Sequence, residues 1–220
     1  MSFLRILAAA LCLARPALAC DLALALAVDV SGSVDSSEYR IQMDGLAAGL
    51  RDPVVSEALV RGQARLMLVQ WTGTSRQRIT IPWTRIDGFA AVDAFAEQVA
   101  TDPRVWRNFS TAIGEALEMT VNSFLEVPEC KRHLIDISGD GVSNEGVEPT
   151  EIRDLLRRQG ITVNAIAIEE SEPDLTAYFF ENVIVGEGAF VVSAAGFKDY
   201  PERIRKKLLR EVTRQTADLR

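Results

Sequence analysis

Residues 20–38 read CDLALALAVDVSGSVDSSE, and this segment is the strongest indication of the fold. A short apolar run at 22–28 is followed at once by a polar turn, which is typical of a strand covered on both faces. Asp35 and Glu38 have the spacing of a capping box, so a helix is predicted to begin after Asp35. The order is strand, polar loop, helix, and in open α/β sheets ligands bind beyond the carboxyl ends of such strands.

The first 19 residues have the features of a secretory signal peptide. A short positive start at 1–5 is followed by an apolar core at 6–13 and by the small-x-small signal Ala17-Leu18-Ala19. The apolar core is far shorter than the roughly 18 residues of a membrane span. We therefore predict a signal peptide at 1–19, one domain at 20–220, no transmembrane segment, and a periplasmic or secreted location.

The chain without its signal is acidic. Of 24 basic residues, Arg5 and Arg15 lie in the signal, so 22 remain against 31 acidic residues, a net charge of −9. This charge argues against a nucleic-acid partner. A length of 201 residues, in a chain that is 48% hydrophobic, fits a single domain with a sizeable core.

Two cysteines remain after removal of the signal, which contains Cys12. Cys20 and Cys130 would both lie in an oxidising compartment, so a disulfide between them is predicted. Two free thiols are an alternative, and lipidation of Cys20 as the first mature residue is another.

Strand patterns alternate with helical patterns along the chain. Two strand patterns lie too close together in sequence to be parallel neighbours, so we predict an antiparallel pair there. The whole is predicted to be an α/β fold, a Rossmann-like doubly wound and mostly parallel sheet with one antiparallel edge strand. The predicted strands are 22–28, 64–71, 77–83, 133–138, 161–168 and a last strand or hairpin at 182–193; the predicted helices are 35–50, 86–99, 111–127, 149–159, 173–181 and 199–214.

Three polar clusters lie where a predicted strand ends or a helix begins. They contain two carboxylates and three hydroxyls that the switch-point rule would bring together, without imidazole or thiolate. Such hard oxygen ligands suit Mg²⁺, Mn²⁺ or Ca²⁺ rather than zinc. An ion with so few carboxylates would accept one more acidic oxygen, from an Asp or Glu of a partner protein. The three clusters are Asp29, Ser31 and Ser33; Ser110 and Thr111; and Asp140.

These motifs resemble the von Willebrand factor type A (vWA) domain and its metal-ion-dependent adhesion site (MIDAS). Residues 29–33, DVSGS, match the family's D-x-S-x-S, Thr111 matches its separate threonine, and 139–141, GDG, match its closing Asp-Gly. The resemblance extends over roughly 21–212 and implies the vWA fold. It also implies that the hydroxyls of Ser31, Ser33 and Thr111 contact the metal directly, and that Asp29 and Asp140 do so directly or through water.

One departure from the family leaves the third hydroxyl open. The family often has glycine before its threonine, whereas this chain has Asn108-Phe109-Ser110-Thr111, so Ser110 is an alternative ligand. Thr111 is preferred because its spacing to the following helix fits related domains better. The segments CDLALALAVDVSGSVD and HLIDISGDGVSNEG also resemble a group of exported bacterial proteins catalogued as a domain of unknown function, number 1194, which implies no activity.

The sequence therefore favours an exported, non-enzymatic binding module that grips an acidic group of a partner protein through a divalent cation. One alternative is a metal-dependent hydrolase, and another is a structural module that binds no ion. His133 is the only histidine and is interpreted as structural, since no G-x-S-x-G elbow accompanies it.

Two further features concern charged residues away from the motifs. Asp136 lies inside a predicted strand and is expected to be a buried, hydrogen-bonded carboxylate or an outward-facing residue. The last helix carries a basic face that is predicted to be solvated, with weak contact to a membrane surface as an alternative. The basic residues of this face are Arg203, Arg205, Lys206, Lys207, Arg210 and Arg214.

Overall fold

The computed structural model describes residues 20–170 and 172–213, so the predicted signal peptide lies outside the described residues. The sheet in this part of the chain has six strands. They are β1 (Ala23–Asp29), β2 (Arg65–Trp71), β3 (Gln77–Arg85), β4 (His133–Gly139), β5 (Ile161–Ile168) and β6 (Val191–Ala194).

The strand order is β3-β2-β1-β4-β5-β6. All neighbours are parallel except β3, which is antiparallel to β2 at the edge of the sheet. The predicted fold class is confirmed. After β1 the chain builds the sheet outward through β2 and β3, and then returns to place β4 on the other side of β1. This reversal makes the crevice between β1 and β4 the expected ligand site.

Seven α-helices cover the two faces of the sheet in the described residues. They are α1 (Ser36–Leu50), α2 (Pro53–Arg61), α3 (Phe89–Thr101), α4 (Ile113–Ser123), α5 (Pro149–Arg158), α6 (Leu175–Asn182) and α7 (Tyr200–Thr213). The predicted start of α1 is confirmed, because Asp35 and Glu38 form a capping box. Helix α2 was not predicted, since Pro53 was interpreted only as the end of α1. Asp52 caps α2 and Pro53 occupies its first turn, where a missing N–H costs nothing.

Strand β1 is buried on both faces, as its apolar run predicts. Side chains alternate between the faces of a strand, so Leu24 and Leu26 join the core under α1, α2, α3 and α7, while Ala25 and Ala27 join the core under α4, α5 and α6. The sheet is therefore a central layer between two layers of helices, and polar atoms of β1 are reachable only at its ends.

A disulfide joins Cys20 to Cys130. It joins the segment before β1 to the segment before β4, at the amino-terminal ends of these two strands. The predicted pairing is confirmed, and the free-thiol and lipidated alternatives are excluded because the Cys20 sulfur is already bonded. A structural disulfide fits an exported protein.

The prediction of a solvated basic face on α7 is wrong at Lys207. This side chain is fully buried and its Nζ lies 2.5 Å from Asp136 Oδ1. Lys207 lies on the inward face of α7 with Ile204 and Leu208, as the 3.6-residue period requires, and the flanking basic residues concealed this in the sequence. Asp136 is buried, which confirms the first of its two alternatives.

The other described basic residues of α7 lie on its outer surface. Their charges are paired: Arg203 with Asp199 just before α7, Arg205 with Asp52 just before α2, and Lys206 with Glu202 of α7. Membrane-surface contact by this helix remains a prediction, and Arg214 lies outside the described residues. In the described part of the chain, every helix is too short or too polar to cross a bilayer.

Candidate metal centre

The predicted ligands lie at the carboxyl ends of β1 and β4, in the crevice between them. Asp29 is the last residue of β1, and Ser31 and Ser33 lie in the loop that follows. Asp140 directly follows β4, and Thr111 directly precedes the cap of α4. The patch is thus formed by three segments that are distant in sequence. We call these five residues the rim patch.

Hydrogen bonds join the first loop to the end of β4. The Ser31 backbone N–H donates to Asp29 Oδ1 at 2.7 Å, and the hydroxyls of Ser31 and Ser33 lie 3.1 Å apart. The Ser33 hydroxyl in turn donates to Asp140 Oδ1 at 2.7 Å. Four of the predicted oxygen-bearing side chains therefore form one continuous chain of contacts.

Glycines next to Asp140 let the remaining oxygens approach. A Cβ added to Gly139 would lie 3.2 Å from Asp29 Oδ2, and one added to Gly141 would lie 3.9 Å from Thr111 Oγ1. Asp29 and Thr111 thus face the two residues that flank Asp140. The structure brings all five predicted residues together at one patch.

Ser110, the alternative to Thr111, points elsewhere. Its side chain is exposed and hydrogen-bonds to Glu145, which helps to lower the pKa of that carboxyl after the hydrogen bond from the Thr74 backbone. Thr111 is buried, and its backbone N–H donates to Asn144 Oδ1 at 2.9 Å. The geometry therefore favours Thr111 over Ser110 as the third hydroxyl of the rim patch.

The surroundings of Asp29 and Asp140, the two acidic residues of the rim patch, disfavour their negative charges. Burial, and after it the negative charge of Asp140, raise the pKa of Asp29 to about 8. Burial also raises the pKa of Asp140, while the hydrogen bond from Ser33 lowers it. Asp29 Oδ2 is buried without a hydrogen-bond partner. An unpaired buried oxygen of this kind costs free energy that a bound cation would recover.

Two residues that support the patch were missed by the sequence analysis. Arg104 donates to the backbone carbonyls of Val30 and Ser31 at 3.0 and 2.8 Å, which fixes the first loop. Asn144 fixes Thr111, as described above. Arg104 lies in a segment that was interpreted only as loop, and Asn144 lies in the polar turn after β4; no supporting role was predicted for either residue.

The composition of the rim patch restricts what it can hold. Among the described residues, no three or more His, Cys, Asp and Glu are grouped so that they could bind a metal ion. The rim patch has only two carboxylates, so any ion held there would depend on the serine and threonine hydroxyls. Hard cations with water in their shell accept such ligands.

His133 is far from the rim patch. It lies at the first residue of β4, where its Nε2 is 3.3 Å from the Val127 carbonyl and its ring packs 5.1 Å from that of Phe124. Asp140 follows the other end of this seven-residue strand, and strands rise about 3.3 Å per residue, so roughly 20 Å separates the two.

Sequence comparison assigns the chain to a family. A family model described as "Protein of unknown function (DUF1194)" matches residues 19–216. The chain belongs to this family. No curated protein matches the DUF1194 chain.

Solved structures similar to the DUF1194 chain have the vWA fold. Proximal thread matrix protein 1 (PTMP1) from the mussel byssus aligns with a TM-score of 0.62 at 18% identity, covering 89% of this chain and 47% of that one. The von Willebrand factor type A protein from Catenulispora acidiphila gives 0.62 at 18%, covering 87% and 43%. The pilus adhesin SpaC from Lactobacillus rhamnosus GG gives 0.61 at 10%, covering 89% and 30%.

These similarities show the fold. The DUF1194 chain spans less than half of each of these proteins, and the predicted vWA resemblance is confirmed at the level of architecture. The mussel protein has also been solved with a zinc-occupied MIDAS motif. The named neighbours include a matrix protein and an adhesin.

Proposed function

We propose that this domain is an exported, cation-dependent binding module. The rim patch holds one divalent cation through Asp29, Ser31, Ser33, Thr111 and Asp140, and the cation binds an acidic side chain of a partner protein. Mg²⁺ is the first candidate, with Mn²⁺ and Ca²⁺ as alternatives.

The observation that carries the proposal is the state of Asp29. Its side chain is 1% exposed, it lies beside a second carboxylate, and one of its oxygens has no hydrogen-bond partner. The Ser31 and Ser33 hydroxyls lie in the chain of contacts that reaches Asp140, and Thr111 Oγ1 faces Gly141 beside it. A cation there would contact the unpaired Asp29 Oδ2 and would balance the negative charge of both carboxylates.

The vWA fold supports metal binding at this position. A structural neighbour has a MIDAS that was solved with zinc, so zinc belongs in any metal screen, although the all-oxygen ligand set of this chain is better suited to a harder ion.

Arginines beside the rim patch support an acidic partner, and they offset the charge of Glu170, which lies near enough to raise the pKa of Asp140. Ser33 is exposed, so an ion beside it would keep a coordination position open to solvent. Arg104 lies under the first loop, and exposed Arg107 is near enough to contribute, after burial, to lowering the pKa of Arg104. Arg76 stacks on the exposed ring of Phe109, with 4.0 Å between the guanidinium and the ring centre. Cations around an ion site favour the approach of a carboxylate.

A hydrolytic role finds less support. Metal-assisted hydrolysis needs a general base near the ion. In the described residues the one histidine lies at the opposite end of β4, and both cysteines are in the disulfide. The carboxylates at the rim patch are themselves the proposed ligands.

The first experiment measures the thermal unfolding of the purified protein with chelator and with millimolar Mg²⁺, Mn²⁺, Ca²⁺ or Zn²⁺. An ion at about 100 times its Kd should stabilise the wild type by about 2.7 kcal/mol. Asp29→Ala should remove this response while the fold is retained by circular dichroism. Glu57→Ala, an exposed carboxylate on α2, is the matched control and should respond like the wild type. An equal metal response in Asp29→Ala would refute the proposal.

The partner half of the proposal is tested separately with envelope extract. A protein captured by the wild type in Mg²⁺ should be released by chelator, should not be captured by Thr111→Ala, and should be captured by Glu57→Ala. Capture that is insensitive to chelator would leave metal binding intact but contradict its bridging role. Steady turnover of phosphate or ester substrates that disappears in Asp29→Ala would instead favour the hydrolase.

A further inference from the structure

A second group of charged side chains lies deep in the domain, under α7. Lys207 and Glu211 lie one turn apart on α7 and face Asp136 in the middle of β4. The Lys207 Nζ lies 2.5 Å from Asp136 Oδ1 and 2.7 Å from Glu211 Oε1. The three side chains are 0%, 3% and 0% exposed. We call them the α7 triad.

The amine of Lys207 is close enough to the Asp136 carboxyl group to react with it. Because a C=O bond is about 1.23 Å long, the nitrogen lies no more than about 3.7 Å from the carboxyl carbon. Reacting atoms in near-attack arrangements are about 3–3.5 Å apart. Folding places Lys207 on α7 and Asp136 on β4 in this arrangement. The entropy cost of bringing the two groups together is therefore already included in the cost of folding.

The environment of the α7 triad disfavours charge. Phe190 is buried, with its ring centre 5.9 Å from Lys207 Nζ, and Tyr200 and Ile204 are also buried. The second carboxyl oxygens of Asp136 and Glu211 are buried without a hydrogen-bond partner. A buried ion cluster of this kind pays a large desolvation cost, which disappears if two of its charges are removed.

Glu211 is suited to assist proton transfer. Asn164 Nδ2 donates to its Oε1 at 2.9 Å and fixes the carboxyl group beside the amine. Burial, followed by the charge of Asp136, raises the pKa of Glu211 to about 8. A carboxyl group with such a pKa carries a proton near neutral pH and can give it up or take it back, as general acids and bases do.

We propose that Lys207 and Asp136 condense spontaneously in the folded protein to an intramolecular amide, which links α7 covalently to β4. A proton first passes from the Lys207 ammonium to the Asp136 carboxylate, which leaves a neutral amine and a neutral acid. The amine nitrogen attacks the carboxyl carbon and a C–N bond forms. Glu211 donates its proton to the departing hydroxyl and regains one from the nitrogen, the C–O bond breaks, and one water molecule leaves. No oxidant, reductant or cofactor is needed.

The product fits the site better than the ions do. Two charges are removed from a buried position, the new amide N–H can donate to Glu211 Oε1, and the amide oxygen replaces the carboxylate of Asp136. The link closes the C-terminal helix onto the central part of the sheet, as the disulfide closes the segment before β1 onto the segment before β4. An exported protein gains resistance to unfolding from both.

The test is mass spectrometry of the purified, reduced and denatured protein, with its N-terminus identified by peptide mapping. The wild type should be lighter than its sequence by about 18 Da, the mass of water. Trypsin should yield peptide 133–153 joined to peptide 207–210, because modified Lys207 is not cleaved. Asp136→Asn should lose about 17 Da instead, since ammonia is then the leaving group.

Matched variants assign each role. Lys207→Arg should have its full sequence mass, and Lys206→Arg, which changes the exposed neighbour, should show the same loss as the wild type. Glu211→Gln should remain mostly unlinked. A wild type of full mass after prolonged incubation in the folded state, with peptide 133–153 unlinked and cleavage after Lys207 that yields peptide 208–210, overturns the proposal. A link between Lys207 and any residue other than Asp136 overturns it as well.

Discussion

The domain contains two buried pairs of carboxylates, and they differ in the source of their cation. Asp136 and Glu211 have Lys207 between them, supplied by the chain itself. Asp29 and Asp140 have no such partner among the described residues, and Arg104 beside them directs its hydrogen bonds to backbone carbonyls. The first pair is shielded from solvent under α7, whereas the second lies at the carboxyl ends of β1 and β4.

The difference separates a structural role from a binding role. A charge cluster that contains both its carboxylates and its cation can be buried in the core without an ion from solvent. A pair of carboxylates left without a cation at an accessible strand end is costly unless an ion from outside completes it. The contrast therefore predicts opposite behaviour when a member of each pair is changed.

The largest effect is expected in the α7 triad. Lys207→Ala leaves Asp136 and Glu211 buried without a cation, and it also removes the proposed cross-link. We expect a loss of about 3–5 kcal/mol in the free energy of unfolding, measured by urea denaturation. Lys206→Ala removes only an exposed pair with Glu202 and should cost about 1 kcal/mol or less. Equal costs for the two variants would contradict the buried role of Lys207.

The raised pKa of Glu211 should make the free energy of unfolding depend on pH. In the unlinked α7 triad, burial and then the charge of Asp136 raise the pKa of Glu211 from 4.5 to about 8. Its contribution to stability is therefore fully present below about pH 4.5 and is lost as the pH rises through about 8, because the folded state binds the extra proton. The loss approaches about 1.4 kcal/mol per pH unit within this window.

Glu211→Gln is the variant that reveals this term. Its unfolding free energy, measured in urea with chelator between about pH 5 and about pH 8, should fall less steeply with pH than that of wild-type protein in which Lys207 and Asp136 are not yet linked. Asp29, whose pKa is also raised, contributes equally to both proteins and cancels in the comparison. Parallel pH profiles would show that Glu211 titrates as an ordinary carboxyl group.

The rim patch was largely predictable from sequence, because its signal is local. Asp29, Ser31 and Ser33 lie at or just after the end of an apolar strand, and Thr111 and Asp140 lie at other element boundaries. The strand-end rule brings these segments together, and the resemblance to vWA domains selected Thr111 over Ser110. Helix α2 was missed because Asp52-Pro53 serves equally as the stop of one helix and the start of the next.

The α7 triad was not predictable in the same way. Lys207 is surrounded in sequence by basic residues that do lie at the surface, and its own burial depends on Asp136, 71 residues earlier. The helical period does place Lys207 with Tyr200, Ile204 and Leu208 on one face. That pattern alone cannot distinguish a buried lysine from one whose stem covers the core while its ammonium reaches water.

The smallest effect, and the most direct test of the contrast, is expected for Asp29→Asn. In chelator this variant removes a buried carboxyl group that must either carry its charge beside Asp140 or take up a proton, and it keeps an oxygen that can accept from the Ser31 N–H. It should therefore be more stable than the wild type by about 1 kcal/mol. In saturating Mg²⁺ the order should reverse, because only the wild type gains the free energy of ion binding. Asp154→Asn, at an exposed carboxylate of α5, should leave the order of stabilities unchanged in both conditions. If Asp29→Asn were less stable than the wild type in chelator, Asp29 would already have its partner within the chain, and the rim patch would be as closed as the α7 triad.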